Sequence, residues 1–303
     1  MLISAISKSP YGVLTRQTQR LIRFLSKDGR IYYGDPLLPA HTTDISHATA
    51  ARLITGDIFR SPTLTSTTKP ISRLLSPLAQ ADISSIRCLG LNYAQHAAET
   101  NMPVPKYPIL FYKPPAALAG PGDDIPVPRI AQECPGVDYE CELVIVMGKQ
   151  CRDVSEEDAL QYVLGYTVGN DVSHREWQLK RGGGQWGIGK GFDGWAPVGP
   201  GIVTTEVLGD AGDLEIETRL NGVVVQKSST RDMIFGVKRA VAFLSKGCTL
   251  GPGDLIFTGT PQGVGMGRNP PLWLKHGDKV EVSLEGVGTC QNTVVFEGNA
   301  ARL

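Results

Sequence analysis

Glu140 and Glu142 flank Cys141 at the head of the run ECELVIVMG, and the chemistry they point to is cation binding. The run is apolar and β-branched, which predicts a strand, and side chains two apart on a strand share a face. Two carboxylates about 5 Å apart repel by roughly 3 kcal/mol at an effective dielectric near 20. A third carboxylate, Asp171, would make this worse. A hard divalent cation held by oxygen ligands is the economical relief. Downstream lie Arg175 and Gln178, spaced to share one helix face, and Lys190 among glycines. Upstream, His96 and Glu99 are spaced i, i+3, so a helical turn puts them side by side.

One motif misleads. GQWGIGKG (184–191) nearly fits the phosphate loop G-x-x-x-x-G-K-[ST]. Position 191 is glycine, so the hydroxyl for the phosphate-bound ion is missing. Gly194 and Pro197 then rule out the long helix whose N-terminus would hold a phosphate. The glycines are expected instead to let backbone pack closely, leaving Lys190 as a fixed ammonium.

The elements that must position these residues are mostly strands. Thirty-five glycines and 21 prolines among 303 residues suggest many turns, and 41% hydrophobic residues suffice for a core. Residues 20–75 read as a small β unit. It opens with a hairpin turning at Lys27-Asp28-Gly29 and ends in the polar stretch SPTLTSTTKP. Its division from the main body is expected near residue 80, giving 1–80 and 81–303. Cys88–Leu91 should be the first strand of the larger unit. Residues 93–99 permit a helix that Asn101-Met102-Pro103 breaks, and such a short segment between breakers suits a mobile lid. Ser155 followed by Asp158 suggests a helix start. A further helix is expected from about Asp232 to Lys246, stopping at Gly247. Asn221-Gly222 signals a hairpin, and GDLIFTGT, GDKVEVSLEG and NTVVFEG read as short strands. The fold class is therefore α+β and β-rich rather than doubly wound.

Thirty basic residues balance 30 acidic ones, which argues against nucleic acid and for a small-molecule partner. No apolar run is long enough to span a membrane. The six cysteines show neither Cys-x-x-Cys nor zinc spacing, as expected of reduced thiols in a cytoplasmic protein. Residues 1–27 hold five Lys or Arg and no acid, the composition of a mitochondrial presequence. The same stretch also reads, from Arg20, as the first hairpin.

These segments resemble the fumarylacetoacetate hydrolase family, especially its acylpyruvate hydrolase and oxaloacetate decarboxylase members. The resemblance is carried in family order by GLNYAQHAAE, PILFYKP, DYECELVIVMGK, GYTVGNDVSHREWQ, GKGFDGWAPVGP, NGVVVQ and GDLIFTGTPQGVG, over roughly residues 86–298. It implies a mixed β-sandwich or roll with a few helices, preceded by the small N-terminal β domain. It implies Glu140, Glu142 and Asp171 as ligands of Mg²⁺ or Mn²⁺, and Lys190 beside the developing enolate. It also implies His96 and Glu99 as a lid dyad that activates water, and Thr260 on the substrate carboxylate. Arg175 and Gln178 either contact substrate or orient Asp171, and Lys113 either touches substrate or braces a residue that does. His174 departs from the family pattern, where smaller residues are common. It either narrows substrate choice or is simply packed. The implied activity is metal-dependent C–C cleavage of a small 2-oxo acid by a homodimer. Isomerase or tautomerase chemistry on unsaturated 2-oxo or 2-hydroxy acids is the alternative, and a non-catalytic binding role the third reading.

Overall fold

In a computed structural model, which describes residues 18–298, the first four strands close on themselves. They are β1 (Arg20–Ser26), β2 (Ile31–Leu37), β3 (Ala50–Thr55) and β4 (Thr63–Leu74). β1 pairs with both β2 and β4, and β3 joins those two. Gly29, at φ +80°, makes the expected first turn. Of the basic N-terminal stretch, residues 1–17 lie outside the described part, and its second half, β1, is a strand with Leu21, Ile22 and Phe24 buried.

The rest of the described residues form two main sheets and a two-stranded ladder of Val137–Asp138 with Ser173–His174. The strands of the main sheets are β5 (Ile86–Gly90), β6 (Ile109–Lys113), β7 (Asp124–Val127), β8 (Cys141–Met147), β9 (Val163–Asn170) and β10 (Ala196–Thr204). Then follow β11 (Glu215–Leu220), β12 (Val223–Ser229), β13 (Leu255–Phe257), β14 (Lys279–Leu284) and β15 (Gly288–Phe296). The larger sheet runs β2-β3-β4-β1-β10-β9-β8-β13-β5-β6 with Leu118–Ala119 beside β10, and the smaller runs β12-β11-β14-β15-β7. The small N-terminal unit joins the larger sheet through Arg20 and Leu21, which lie opposite Val203 and Ile202.

The core follows the two-residue period of β8. Cys141, Leu143, Ile145 and Met147 face the smaller sheet and pack with Ile216, Val282 and Val294. Val144 and Val146 face the other way, onto Ile86, Cys88 and Phe257. Each such fully buried aliphatic side chain contributes about 1.5–3 kcal/mol relative to exposure. The strand is thus apolar on both faces, and only at its head does one face turn acidic.

The two main helices are shorter than the patterning suggests. The lid segment forms α1 (Ala94–Glu99). The later helix, α2, covers only Val237–Leu244, because Asp232, Ile234 and Phe235 bond instead to the lid base at Asn92 and Gln95. Gly247 adopts the expected φ of +68°. No α-helix follows Ser155: its hydroxyl accepts the Asp158 amide at 3.1 Å as a cap would, but only a 3₁₀ turn, Ala159–Tyr162, is made. Val163 is already in β9, where sheet pairing outweighs a weak local helix preference. Asn221 (φ +51°) and Gly222 (φ +82°) form the β11–β12 turn. All six cysteines are free. Among the described residues, no helix is long and apolar enough to cross a membrane.

Candidate active site

The site begins with strand register. β8 and β9 are antiparallel, with Cys141 opposite Asn170 and Glu142 opposite Gly169. Glu140, one residue before β8, therefore meets Asp171, one residue after β9. The Asp171 amide donates to the Glu140 carbonyl at 2.9 Å, and the Asn170 side chain accepts the Glu140 amide at 3.0 Å. Carboxylate oxygens of Glu140, Glu142 and Asp171 all lie within 4.8 Å of one another, and all three residues are buried.

Three buried cations answer them. Lys190 ends a single helical turn, Gly187–Lys190, and donates to Glu140 Oε2 (2.9 Å), Asp171 Oδ2 (2.8 Å) and Ser173 Oγ (2.7 Å). Its ammonium also stands 4.9 Å from the Phe111 ring centroid. The turn is pressed so close to the chain at Gln178 that a Cβ on Gly189 would fall 2.4 Å from the Gln178 nitrogen. Close packing is thus what that glycine provides, and the turn ends at Gly191 without continuing as a phosphate-binding helix.

Lys113 stands behind Asp171 with its side chain fully enclosed. Nζ lies 2.7 Å from Asp171 Oδ1 and donates to the carbonyls of Val172 (3.1 Å), Trp195 (2.8 Å) and Lys190. With all its donors engaged, it braces Asp171. Arg175 holds Glu140 Oε1 at 2.7 Å and Gln178 Oε1 at 2.9 Å, and it donates through Nε to Asp138 at 2.8 Å. It does not orient Asp171, which is served by the two lysines. Arg175 and Gln178 do lie one turn apart, at a wide π-type turn, Trp177–Arg181.

Four buried carboxylates (Asp138, Glu140, Glu142, Asp171) face three buried cations (Lys113, Arg175, Lys190), one negative charge in excess. The electrostatics locate that excess. Burial works to raise the Glu140 carboxyl, yet Lys190 and Arg175 outweigh it and hold Glu140 well below the ordinary range. Burial lowers the Lys190 ammonium, but Asp171 and Glu140 more than restore it. Among the described residues, Glu142 accepts only the Gly259 amide, at 2.7 Å, and has no ion-pair partner. Burial first, then Asp171 and Glu140, push its carboxyl well above the usual range. An uncompensated carboxylate beside two others, all oxygen donors, fits a hard divalent cation.

The lid brings His96 and Glu99 together as a bonded pair. His96 Nδ1 lies 3.0 Å from Glu99 Oε2, and Glu99 Oε1 accepts the Gly263 amide at 2.9 Å. Burial raises the Glu99 carboxyl, but the His96 and Gly263 bonds prevail and lower it. An ionised carboxylate only accepts, so it fixes the proton on Nδ1 and leaves Nε2 as the basic nitrogen.

A pocket of ≈ 90 Å³ is lined by His96, Glu140, Glu142, Arg175, Gln178, Lys190 and Thr260, with Met102, Trp186 and Met266 among its apolar walls. Glu99, Lys113 and Asp171 stand behind this lining. Thr260 Oγ1 donates to the Cys141 carbonyl at 3.0 Å and accepts from Gln226 at 2.9 Å. His174 is buried away from the pocket and bonds the carbonyls of Ala131 and Cys134, so it packs a loop. A larger cleft, ≈ 440 Å³ between Asp44 and Thr289, contains none of these residues.

Residues 85–295 match the family described as Fumarylacetoacetate (FAA) hydrolase C-terminal. The chain belongs to the fumarylacetoacetate hydrolase family. A Dictyostelium discoideum homolog of fumarylacetoacetate hydrolase domain-containing protein 2 is 49% identical over 225 residues, covering 71% of this chain and 73% of that one. A Xenopus laevis protein named a mitochondrial oxaloacetate tautomerase is 46% identical over 222 residues, covering 73% and 68%. Among solved structures, a 2-hydroxyhepta-2,4-diene-1,7-dioate isomerase from Mycobacterium marinum superposes with a TM-score of 0.78 at 39% identity, covering 93% and 100%.

Several polar residues of this family member were not anticipated as parts of the site, Asn170 and Ser173 among them. Asp138, the counter-ion of Arg175, stands in DYECE, and weighing the charges of that run would have flagged it. Gln226 ends NGVVVQ and bonds the Cys141 amide, Thr218, Thr260 and the Pro261 carbonyl. Only the approach of β12 to β8 makes it part of the site, and no local pattern signals that.

Proposed function

We propose that this protein enolises small 2-oxo acids, with keto–enol tautomerisation of an oxaloacetate-like acid as its reaction. The observation that carries the reading is that His96, backed by Glu99, opens onto the same small pocket as Glu140, Glu142 and Lys190. Tautomerisation moves a proton between carbon 3 and the 2-oxo oxygen, so it needs a base at one end and charge stabilisation at the other. His96 Nε2 takes the proton from one of these two atoms and delivers it to the other, while Glu99 steadies the imidazolium formed in between. Lys190, whose three donors go to Glu140, Asp171 and Ser173, acts through its positive charge on the oxygen where negative charge grows. Arg175 and the Gln178 amide supply donors for the acid's carboxylate, and Thr260 joins them by turning its hydroxyl away from the Cys141 carbonyl. Glu140, Glu142 and Asp171 would hold Mg²⁺ or Mn²⁺, which would supply electrophilic stabilisation of the 2-oxo oxygen.

The names of the Xenopus tautomerase and the mycobacterial isomerase support proton transfer over bond cleavage. Cleavage is the second reading. The same dyad can activate water for acylpyruvate hydrolysis, and a β-carboxylate could leave as CO₂ without it. One preparation assayed with Mg²⁺ against enol-oxaloacetate, oxaloacetate and a series of acylpyruvates separates them. Faster ketonisation of the enol, with slow or absent C–C cleavage, is expected; cleavage without accelerated ketonisation would sink the first reading. We further propose a homodimer with two-fold symmetry, which a monomer mass in light scattering at micromolar concentration would refute. A mitochondrial site of action, as in the Xenopus relative's name, is proposed over the cytoplasmic one.

A further inference from the structure

Asp138 is completely enclosed, and its carboxylate serves two parts of the site, with Oδ2 shared between them. On one side it receives Arg175, whose Nε donates to Oδ2 at 2.8 Å and whose second terminal nitrogen lies 2.8 Å from the same oxygen. On the other side it receives a loop: the Gly265 amide donates to Oδ1 at 2.7 Å and the Met266 amide to Oδ2 at 3.0 Å. That loop is what holds the lid. Gly263 donates to Glu99, and Gly267 lies so near that a Cβ there would fall 2.7 Å from the Glu99 carboxyl carbon. The next residue, Tyr139, repeats the grip through its hydroxyl, which donates to the Gly263 carbonyl at 3.1 Å.

We propose that Asp138 is a positioning residue that couples docking of the His96–Glu99 helix to the Arg175 side of the pocket. A guanidinium shift at Arg175 pulls on Oδ2, Oδ2 also holds the Met266 amide, and the same loop presents the Gly263 amide to Glu99. Whatever polar group Arg175 meets in the pocket is thereby felt at the lid. The lid has few other anchors. It is six residues long, and the Gln95 amide on Asp232 (2.9 Å) and the Asn92 bonds to Phe235 and Thr258 tie down only its N-terminal end. Its C-terminal end, where Glu99 lies, depends on the loop.

The decisive variant is Asp138→Asn. Its carbonyl oxygen still accepts the Gly265 and Tyr139 amides, but its amide must face the Arg175 and Met266 donors. The loop stays held at one point and the link to Arg175 is cut. Hydrogen exchange of the full chain, without ligand, should then quicken about tenfold or more over 94–102 and 263–267, a local opening free energy lowered with the core intact. Amides of β8 and β9 should keep wild-type protection. Arg175→Lys, which keeps the charge but loses the fork, should do the same and serves if Asp138→Asn does not fold. Unchanged exchange over 94–102 in a folded variant would overturn the proposal, as would equal acceleration in β8 and β9. The kinetic consequence rests on the tautomerase reading. In Asp138→Asn, kcat should fall about tenfold with KM moving less than about threefold, because Arg175 keeps Glu140 and Gln178 while the lid docks less often. A wild type inactive on oxaloacetate defeats that reading but leaves the exchange result to decide on Asp138.

Discussion

The carboxylate cluster and the lid dyad face one pocket but are built in opposite ways. Glu140, Glu142 and Asp171 sit at the paired ends of β8 and β9, inside a sheet buried on both faces, with Lys113 holding Asp171 from behind and Lys190 holding Glu140 and Asp171 from the pocket side. His96 and Glu99 ride on a six-residue helix hung from Asn92, Asp232 and the Gly263 amide. Fixed charge needs a frame that does not relax when substrate charge changes, and a packed sheet provides it. Proton transfer needs a group that can approach and withdraw, and a short helix with few anchors provides that. Damage in the first region should therefore abolish charge stabilisation and metal binding together. Damage in the second should slow the reaction and leave metal binding intact.

The sharpest break of this contrast is Glu142→Gln. Losing the ligand without a cationic partner should reduce Mg²⁺ affinity, measured by calorimetry. It should also cut activity by about 10³-fold or more, the several kcal/mol that an ion contributes to transition-state charge. Exhaustive chelation of the wild type should match it, and full activity after chelation would refute the metal assignment.

His96→Ala comes next. Enol-oxaloacetate ketonisation and any acylpyruvate hydrolysis should fall about 10²-fold, the usual loss for a general base, with Mg²⁺ affinity unchanged. Oxaloacetate decarboxylation, if present, needs no activated water and should fall less. Equal losses in all reactions would mean that His96 only orders the lid.

The smallest effect belongs to His174, outside both regions. Burial holds its imidazole below the ordinary pKa despite the carbonyls that accept from it. The unfolded chain takes a proton near pH 6.5 while the folded chain resists. The stability that His174 contributes is therefore present above pH 6.5 and lost as pH falls below it. His174→Gln should lessen the fall in Tm between pH 7 and pH 5, measured by thermal unfolding at the two pH values. Activity at pH 7.5 should not change, since the residue lies away from the pocket. A changed KM would show instead that it narrows substrate choice.

Local chemistry by itself determined a good deal of this protein. The two-residue period of ECELVIVM placed both glutamates on one face, Asn221-Gly222 made its turn, and the i, i+3 spacing of His96 and Glu99 gave a bonded pair. Each depends on a few neighbouring backbone angles, which side-chain type constrains directly. Helix length was less legible. The run after Ser155 has cap chemistry but loses its residues to β9, and α2 starts late because Asn92, 143 positions from Phe235, claims that residue's amide. Only the tertiary structure decided that Asp171 meets Glu140, that Lys113 stands behind Asp171 with its donors engaged, and that Asp138 joins Arg175 to the lid loop. Those are contacts between strands and loops distant in the chain, set by sheet register and packing. A sequence names the charges, but which of them share a buried space depends on where the backbone brings them together.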